Sequence, residues 1–170
     1  MARRQLHNED WGFDSNCFVC EPRNTGGLRI PFHHDDELQA VVATFTLDAT
    51  FSGAPSYVHG GVSLAVLDEA QAWATIAVGG KFAVTAETTT RFDRPVLVDR
   101  AYTVEAWITT QDDERLATEG RILDQKDRVC AASRATFVVL GAAQALHATG
   151  ADPDVIDPSL LRRAQADPSS

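Results

Sequence analysis

One segment of this sequence is long, apolar and free of proline, and it limits the possible folds more than any other feature. The segment runs from Gly60 to Val78 and carries apolar side chains at most of its positions. A helix that is apolar on nearly all sides has to be buried by the elements around it. Gly79 and Gly80 follow the segment, as is typical of a helix C-terminus. The sequence therefore predicts one long central helix.

Two strand-like runs precede this helix and four follow it. The first two are "GLRIPF" and "LQAVVATFTL", with "HHDDE" predicted as a polar turn between them. The later four are "FAVTAETTTRF", "AYTVEAWITTQ", "RLATEGRILD" and "VCAASRATFVVL", separated by short segments suited to turns. Parallel crossovers would need a helix between each pair of strands. We therefore predict an α+β fold in which an antiparallel sheet of about six strands wraps around the helix.

The chain of 170 residues is long enough for one domain with a sizeable core, which we expect over residues 17–144. Residues 1–16 are polar and mixed, and we expect them to be an N-terminal tail. Residues 145–170 are rich in Pro, Asp and Ser and are expected to be a C-terminal tail, with a short helical pattern from Ser159 to Ala166. No signal-peptide pattern and no apolar run of about 18 residues is found, so the expected location is cytoplasmic.

The charge of the chain argues against two classes of partner. Acidic residues outnumber Lys and Arg by 24 to 15, which gives a formal net charge of −9, and no Lys/Arg-rich run occurs. Nucleic acid and anionic membranes attract basic proteins. We therefore expect neither as a partner.

The three cysteines are Cys17, Cys20 and Cys130, an odd number that does not favour a disulfide framework. The spacing in "CFVC" is that of half a zinc knuckle, but no second CxxC and no spaced His pair completes a tetrahedron. Apolar cysteines packed where the first strand begins are the favoured interpretation, with zinc as the alternative. The adjacent His33 and His34 are more typical of exposed imidazoles than of ligands. The sequence thus predicts neither a metal nor a cofactor.

Two adjacent acids, Asp68 and Glu69, interrupt the apolar helix. Asp68 lies on an apolar stripe, and no Lys or Arg stands one helical turn away. An unpaired carboxylate in such a place is costly in a purely structural helix and is expected of a catalytic acid or base. Glu69 points to another side of the helix, where a surface acid and a functional acid are both open interpretations.

A His-Gly-Gly sequence, His59 to Gly61, stands at the predicted helix N-terminus. Glycines here leave backbone N–H groups accessible, and the helix dipole favours negative charge beside them. An oxyanion bound there would be stabilised by roughly 3 kcal/mol per donor. His59 is expected to orient this loop or to contact a carbonyl group of the substrate. A flexible start of the helix, with no binding role, is the alternative for the two glycines.

Three motifs together resemble those of hotdog-fold acyl-CoA thioesterases of the phenylacetate-pathway (PaaI-like) branch. The first is His-Gly-Gly followed by six residues and Asp68; the others are "CFVCEPRNTGGLRI", similar to "CFxCG…NPxGLxL", and "ETTTRFDRPV", similar to a strand ending in "F-x-RPV". They occur in the family's order over about residues 17–140. Glu21 stands where Gly is usual and Thr25 where Pro is usual, both far in sequence from the carboxylate.

The resemblance implies a role for each matching residue. Asp68 would be the general base or nucleophile, and the Gly60 N–H would polarise the thioester carbonyl, with His59 beside it. Thr85, ten residues before Pro95, would position the water or the carboxylate. The implied reaction is hydrolysis of an acyl-CoA thioester, which requires no metal.

Three residues are further candidates for substrate binding. Gly61 would add a second backbone donor beside Gly60. Arg91 and Arg94, in "TRFDRP", are candidates for the phosphates of coenzyme A, although ordinary paired arginines are an equally good interpretation.

The sheet is expected to have a second face that needs cover. One side of "TVEAWITT" is aliphatic and the other carries Trp107, and such faces are often buried by a symmetric copy. We therefore expect a homodimer or a homotetramer built as a dimer of dimers. The resemblance implies that Asp68 of one subunit faces the Gly60 loop of the other.

Two other functions compete with hydrolysis. A hotdog domain that binds acyl-CoA without turnover, as a sensor or carrier, would gain nothing from an unpaired buried Asp. Hydratase chemistry would call for an Asp-His pair that the sequence lacks.

Overall fold

The computed structural model describes residues 3–151 and 154–161, and its central element is helix α1 (Gly60–Ala77). The predicted central helix is thereby confirmed, ending one residue earlier than expected. Beyond its end, Gly80 has a φ of 62°, a left-handed conformation that glycine adopts without strain. None of the described helices is both long enough and apolar enough to cross a bilayer.

The described residues form one antiparallel sheet of seven strands, in the order β1-β2-β3-β5-β6-β7-β4. Helix α1 packs against five of these strands, from β3 to β7. The predicted α+β architecture, an antiparallel sheet around one long helix, is confirmed. The strands are β1 (Arg3–Gln5), β2 (His33–Asp35), β3 (Ala40–Thr46), β4 (Ala83–Phe92), β5 (Ala101–Gln111), β6 (Arg115–Leu123) and β7 (Val129–Val139).

The core lies between α1 and the concave face of the sheet. Val66 and Leu67 of α1 and Val104 and Ala106 of β5 are fully buried in one cluster. Residues two apart on a strand share a face, so the aliphatic side of β5 faces the helix, as predicted. Trp107 lies on the opposite face and is half-buried. The ring of Trp107 is covered in part by the guanidinium of Arg121, 5.4 Å from its centroid.

A buried amide fixes α1 over the middle of the sheet. Gln71 donates from Nε2 to Oγ1 of Thr118 on β6 (2.9 Å) and accepts from Oγ of Ser133 on β7 (2.8 Å). All three side chains are buried. A Cβ at Gly120 would lie 3.3 Å from Cγ of Gln71, so a residue without a side chain makes room for this contact. The helix is thereby held in one register on the sheet.

The predicted first strand, residues 27–32, is wrong. This segment lies outside the sheet and is not a regular strand, since Arg29 has a φ of 55°. Its backbone bonds with the segment before it, where the Ile30 N–H donates to the carbonyl of Val19 (2.9 Å). The strand is instead His33–Asp35, so His33 and His34 are strand residues and "HHDDE" is not wholly a turn. The turn occupies residues 36–39.

The expected N-terminal tail is partly built into the sheet. Arg3–Gln5 forms β1, which pairs antiparallel with β2, and Nε of Arg3 lies 2.9 Å from Oδ2 of Asp35. Leu6, the next residue, is buried in the main core. These contacts correct the expectation of a free polar segment over residues 1–16.

The C-terminal segment also carries structure that the sequence pattern did not place correctly. Helix α2 (Ala142–Thr149) crosses the expected start of the tail at residue 145. Pro158–Leu160 forms a single 3-10 turn, and Leu160 is buried. Most of the helix predicted from Ser159 to Ala166, residues 162–166, lies outside the described residues.

Candidate active site

The start of α1 is capped by a side chain, which decides which glycine N–H is available. His59 is the N-cap residue, with φ −57° and ψ 134°, and its Nδ1 accepts a hydrogen bond from the Gly61 N–H (2.9 Å). The prediction of Gly61 as a substrate-binding donor is therefore corrected, because its N–H is already satisfied within the chain. The Gly60 N–H donates to no acceptor among the described residues. Gly60 is exposed and carries the candidate donor alone.

The carboxylate of Asp68 has one defined partner. Thr85 on β4 donates from Oγ1 to Oδ1 of Asp68 at 2.7 Å, so the structure brings together two residues predicted for the same site. Asp68 is half-buried and forms no ion pair with the part of the chain that is described. The pairing of β4 with β7 shifts register between Thr85 and Glu87. Such bulges re-aim side chains and are frequent beside active sites.

Asp68 and the Gly60 N–H are well separated within one chain. Eight residues of α-helix rise about 12 Å. A nucleophile has to stand about 3–3.5 Å from the carbon that it attacks. One carbonyl group therefore cannot be held by the Gly60 N–H and attacked beside Asp68 of the same chain.

The two candidate arginines are engaged elsewhere. Arg91 pairs with Asp93 (Nε to Oδ1, 2.7 Å), which lowers the pKa of the Asp93 carboxyl, and Arg94 donates to the carbonyl of Val129 (2.7 Å). Arg91 lines a cavity of about 530 Å³ together with Trp107, on the sheet face opposite α1. The structure does not bring Arg91 to Asp68, and in this chain both arginines match the interpretation of ordinary paired residues.

Glu69 has surroundings that sequence reasoning missed. One of its carboxylate oxygens and the Sγ atoms of Cys17 and Cys20 lie within 4.8 Å of one another. Burial raises the pKa of the Glu69 carboxyl to about 8. The interaction between the two neighbouring thiols lowers the pKa of Cys17 to about 5 and raises that of Cys20. The CxxC was visible in the sequence, but only the fold supplies the third group.

Comparisons with known proteins find similarity to one family. The model of the thioesterase superfamily matches residues 56–131, which include α1 and the whole of β4. A solved thioesterase superfamily protein is 30% identical, with a TM-score of 0.68 over 72% of this chain and 60% of that one. Over this span the chain is similar to the thioesterase superfamily. It spans 60% of the length of that solved relative, and a comparison with curated proteins found no match.

Two other solved structures extend this likeness. The PaaI protein of E. coli, from the phenylacetic acid degradation operon, is 24% identical, with a TM-score of 0.60 over 67% of this chain and 81% of that one. A hypothetical thioesterase of Streptococcus pneumoniae, solved with coenzyme A, is 20% identical, with a TM-score of 0.57 over 60% of this chain and 79% of that one. Both likenesses confirm the hotdog fold.

Proposed function

We propose that this protein hydrolyses an acyl-CoA thioester to the free acid and coenzyme A. The observation that carries the proposal is the Asp68 carboxylate, held by the Thr85 hydroxyl and without a cationic partner among the described residues. A base that accepts only one neutral hydrogen bond keeps an oxygen available for a proton. The family supports thioester chemistry, and the coenzyme A bound to the streptococcal structure supports this class of thioester.

The proposed reaction needs three groups in the site. Asp68 takes a proton from a water molecule, whose oxygen adds to the thioester carbon, while Thr85 orients the carboxylate through Oδ1. The negative charge on the carbonyl oxygen is stabilised by the Gly60 N–H at the helix N-terminus. The carbon–sulfur bond then breaks, and the leaving thiolate takes the proton from Asp68. Direct attack by Asp68, through a mixed anhydride that water then hydrolyses, uses the same groups.

We place each site between two copies of the chain. Because about 12 Å separates Gly60 from Asp68 along one helix, we assign the Gly60 N–H of one copy and Asp68 of the partner subunit to the same substrate. The surface beside them suits an interface: Val84 and Phe92 of β4 are 46% and 53% exposed. The Phe92 ring also stands 3.9 Å from the point where a Gly60 Cβ would lie, so the two elements adjoin.

The first test is release of free thiol from a panel of short, long and aryl acyl-CoA thioesters. Asp68→Asn is expected to lower kcat at least about a hundredfold while the circular dichroism spectrum stays that of the wild type. Asp113→Asn, which changes an exposed aspartate in the turn between β5 and β6, is the matched control. Unchanged turnover in Asp68→Asn would contradict the assignment. Binding of acyl-CoA without turnover by the wild type would instead favour the sensor or carrier.

A second test addresses the shared site. Asp68→Asn and Gly60→Pro should each be inactive alone, because each site then lacks one of its two groups. Co-expressed in equal amounts, they should recover roughly a quarter of the wild-type activity, since half of the randomly paired dimers contain one intact site out of two. Sedimentation should first show a dimer or tetramer. Recovery of no activity in a proven mixed dimer would overturn the two-copy site.

A further inference from the structure

The side chains of Cys17, Cys20 and Glu69 form a compact cluster outside the proposed catalytic groups, and we call it the thiol-carboxylate cluster. Its three potential ligand atoms lie within 4.8 Å of one another. Tetrahedral ligands at about 2.3 Å from a zinc ion stand about 3.8 Å apart. Small side-chain rotations would therefore bring all three atoms to coordination distance.

The sulfur atoms of the cluster receive N–H groups from the surrounding chain. The Val19 N–H donates to Sγ of Cys17 (3.4 Å), and Nδ2 of Asn8 points to Sγ of Cys20 (3.9 Å). Hydrogen bonds of this kind favour sulfur as a thiolate, the form that binds metals. The loop from residue 17 to 20 is thus shaped around both sulfurs rather than around two apolar side chains alone.

The carboxylate of the cluster lacks the partner that a half-buried acid normally has. No Lys, Arg or His among the described residues forms an ion pair with Glu69. Buried carboxylates are usually paired or coordinate a metal. A cation bound between the sulfurs would give Glu69 a charged partner.

We propose that Cys17, Cys20 and Glu69 are the three protein ligands of a zinc-class divalent cation. Two thiolates and one carboxylate are ligands that zinc accepts in a tetrahedral site, and sulfur disfavours calcium and magnesium. Any proton that a thiol or the carboxyl group still carries passes to the buffer as its bond to the metal forms. No local motif in the sequence links Glu69 to the cysteines, since it stands 49 residues beyond Cys20.

The surroundings leave room for water as the fourth ligand. Cys20 and Trp73 line a cavity of about 190 Å³, several times the space that one water needs. Trp73 stands one helical turn beyond Glu69, and its buried Nε1 donates to no described residue.

The proposed ion would tie the N-terminal segment to α1 at the residue that follows Asp68. Cys17 and Cys20 are both half-buried against the main core. Three metal bonds would cross-link this segment to the helix beside the proposed catalytic carboxylate. The role is one of holding the segment in place, and it does not depend on the proposed hydrolysis.

Cobalt is the probe for this site, because thiolate-bound cobalt absorbs visibly. The full-length protein is stripped with a chelator, kept reduced, and titrated with Co²⁺ and then with Zn²⁺. We expect one equivalent of Co²⁺ with thiolate-to-metal charge-transfer absorption, displaced by one equivalent of Zn²⁺. Cys20→Ser and Glu69→Gln should each weaken binding at least about tenfold, whereas Cys130→Ser, which changes the buried third cysteine, should not.

Three outcomes would overturn the proposal. The first is no charge-transfer absorption in reduced wild-type protein. The second is equal affinity in wild type and in a Glu69→Gln variant with unchanged circular dichroism, which would mean that the carboxylate is not a ligand. The third is a reduced protein that binds no Co²⁺ but loses two of its three titratable thiols in air, which would assign the pair to a disulfide.

Discussion

Thr85 Oγ1 donates to Oδ1 of Asp68 at 2.7 Å, which joins the edge strand β4 to the central helix at the proposed catalytic carboxylate. The two residues are 17 positions apart, and neither has an ion pair among the described residues. A hydroxyl donor fixes the direction of a carboxylate without adding the positive charge that would make it a weaker base. The pair therefore suits orientation rather than charge neutralisation.

Replacing Thr85 by Val should lower turnover more than stability. The change removes the hydroxyl but keeps the shape, and the side chain is exposed. We expect kcat to fall about tenfold, since one hydrogen bond to a charged group is lost. Thr85→Ser should restore most of the rate, and Thr88→Val on the same strand is the control. Steady-state hydrolysis and urea unfolding check the two effects, and a rate unchanged by Thr85→Val would contradict the orienting role.

Gly60→Pro should remove one backbone donor and leave the fold intact. Proline is favoured at the first helical position, and the ψ of 134° at His59 is one that a residue before proline adopts. Gly60→Ala keeps the N–H and serves as the control. We expect kcat for Gly60→Pro to be about a hundredfold below that of Gly60→Ala, as for loss of an oxyanion donor. Equal rates for the two variants would exclude the Gly60 N–H from the site.

A stronger N-cap residue should be able to take over the capping role of His59 at the start of α1. His59→Ala removes the acceptor for the Gly61 N–H and is expected to cost about 1 kcal/mol of unfolding free energy. His59→Asn should recover that loss, because asparagine is a strong N-cap residue. Urea unfolding of both variants measures the difference. If His59→Asn were as unstable as His59→Ala, the contribution of His59 would not be capping.

The sequence predicted best the elements whose apolar pattern is long. Helix α1 and strands β3 to β7 each span at least seven residues, so their periodicity is clear. β1 is only Arg3–Gln5, three exposed polar residues without any apolar alternation. Such an edge strand forms because a neighbour offers backbone hydrogen bonds, and no local signal marks it.

The features of the candidate site also differ in how far the local sequence predicts them. The spacing from Gly60 to Asp68 follows from one helix and was readable. The spacing of residues in the sequence does not reveal that the His59 side chain accepts the hydrogen bond of the Gly61 N–H. The meeting of Glu69 with Cys17 and Cys20 depends on how the N-terminal segment folds back over α1. A cluster formed by residues about 50 positions apart can be recognised only in the tertiary structure.

Replacing Gln71 alone should lower the free energy of unfolding, whereas replacing all three side chains of its hydrogen-bond network by apolar ones should restore much of it. Gln71→Leu leaves the buried Ser133 hydroxyl without its acceptor and removes the donor to Thr118, whose hydroxyl keeps only the Ala135 carbonyl (3.5 Å). We expect a loss of about 2–4 kcal/mol of unfolding free energy. The triple variant with Thr118→Val and Ser133→Ala removes every polar group, so it should recover much of that loss. Urea unfolding of the single and triple variants tests this. A triple variant less stable than the single one would contradict the replacement of this network by apolar side chains.

An ion pair in the turn between β6 and β7 should make the free energy of unfolding depend on pH in the acidic range. Arg128 pairs with Asp124 (2.7 Å) and holds the pKa of that carboxyl to about 2, below the value of about 3.9 in an unfolded chain. A lowered folded-state pKa stabilises the protein above the unfolded value, and that contribution is lost as the pH falls through about 2. The stability difference between wild type and Asp124→Asn should therefore be largest above pH 4 and shrink toward pH 2. Asp113→Asn, which changes an exposed aspartate with no described ion pair, is the control in urea unfolding at each pH. A difference for Asp124→Asn that stayed constant over this range would show that the ion pair with Arg128 does not contribute to folding.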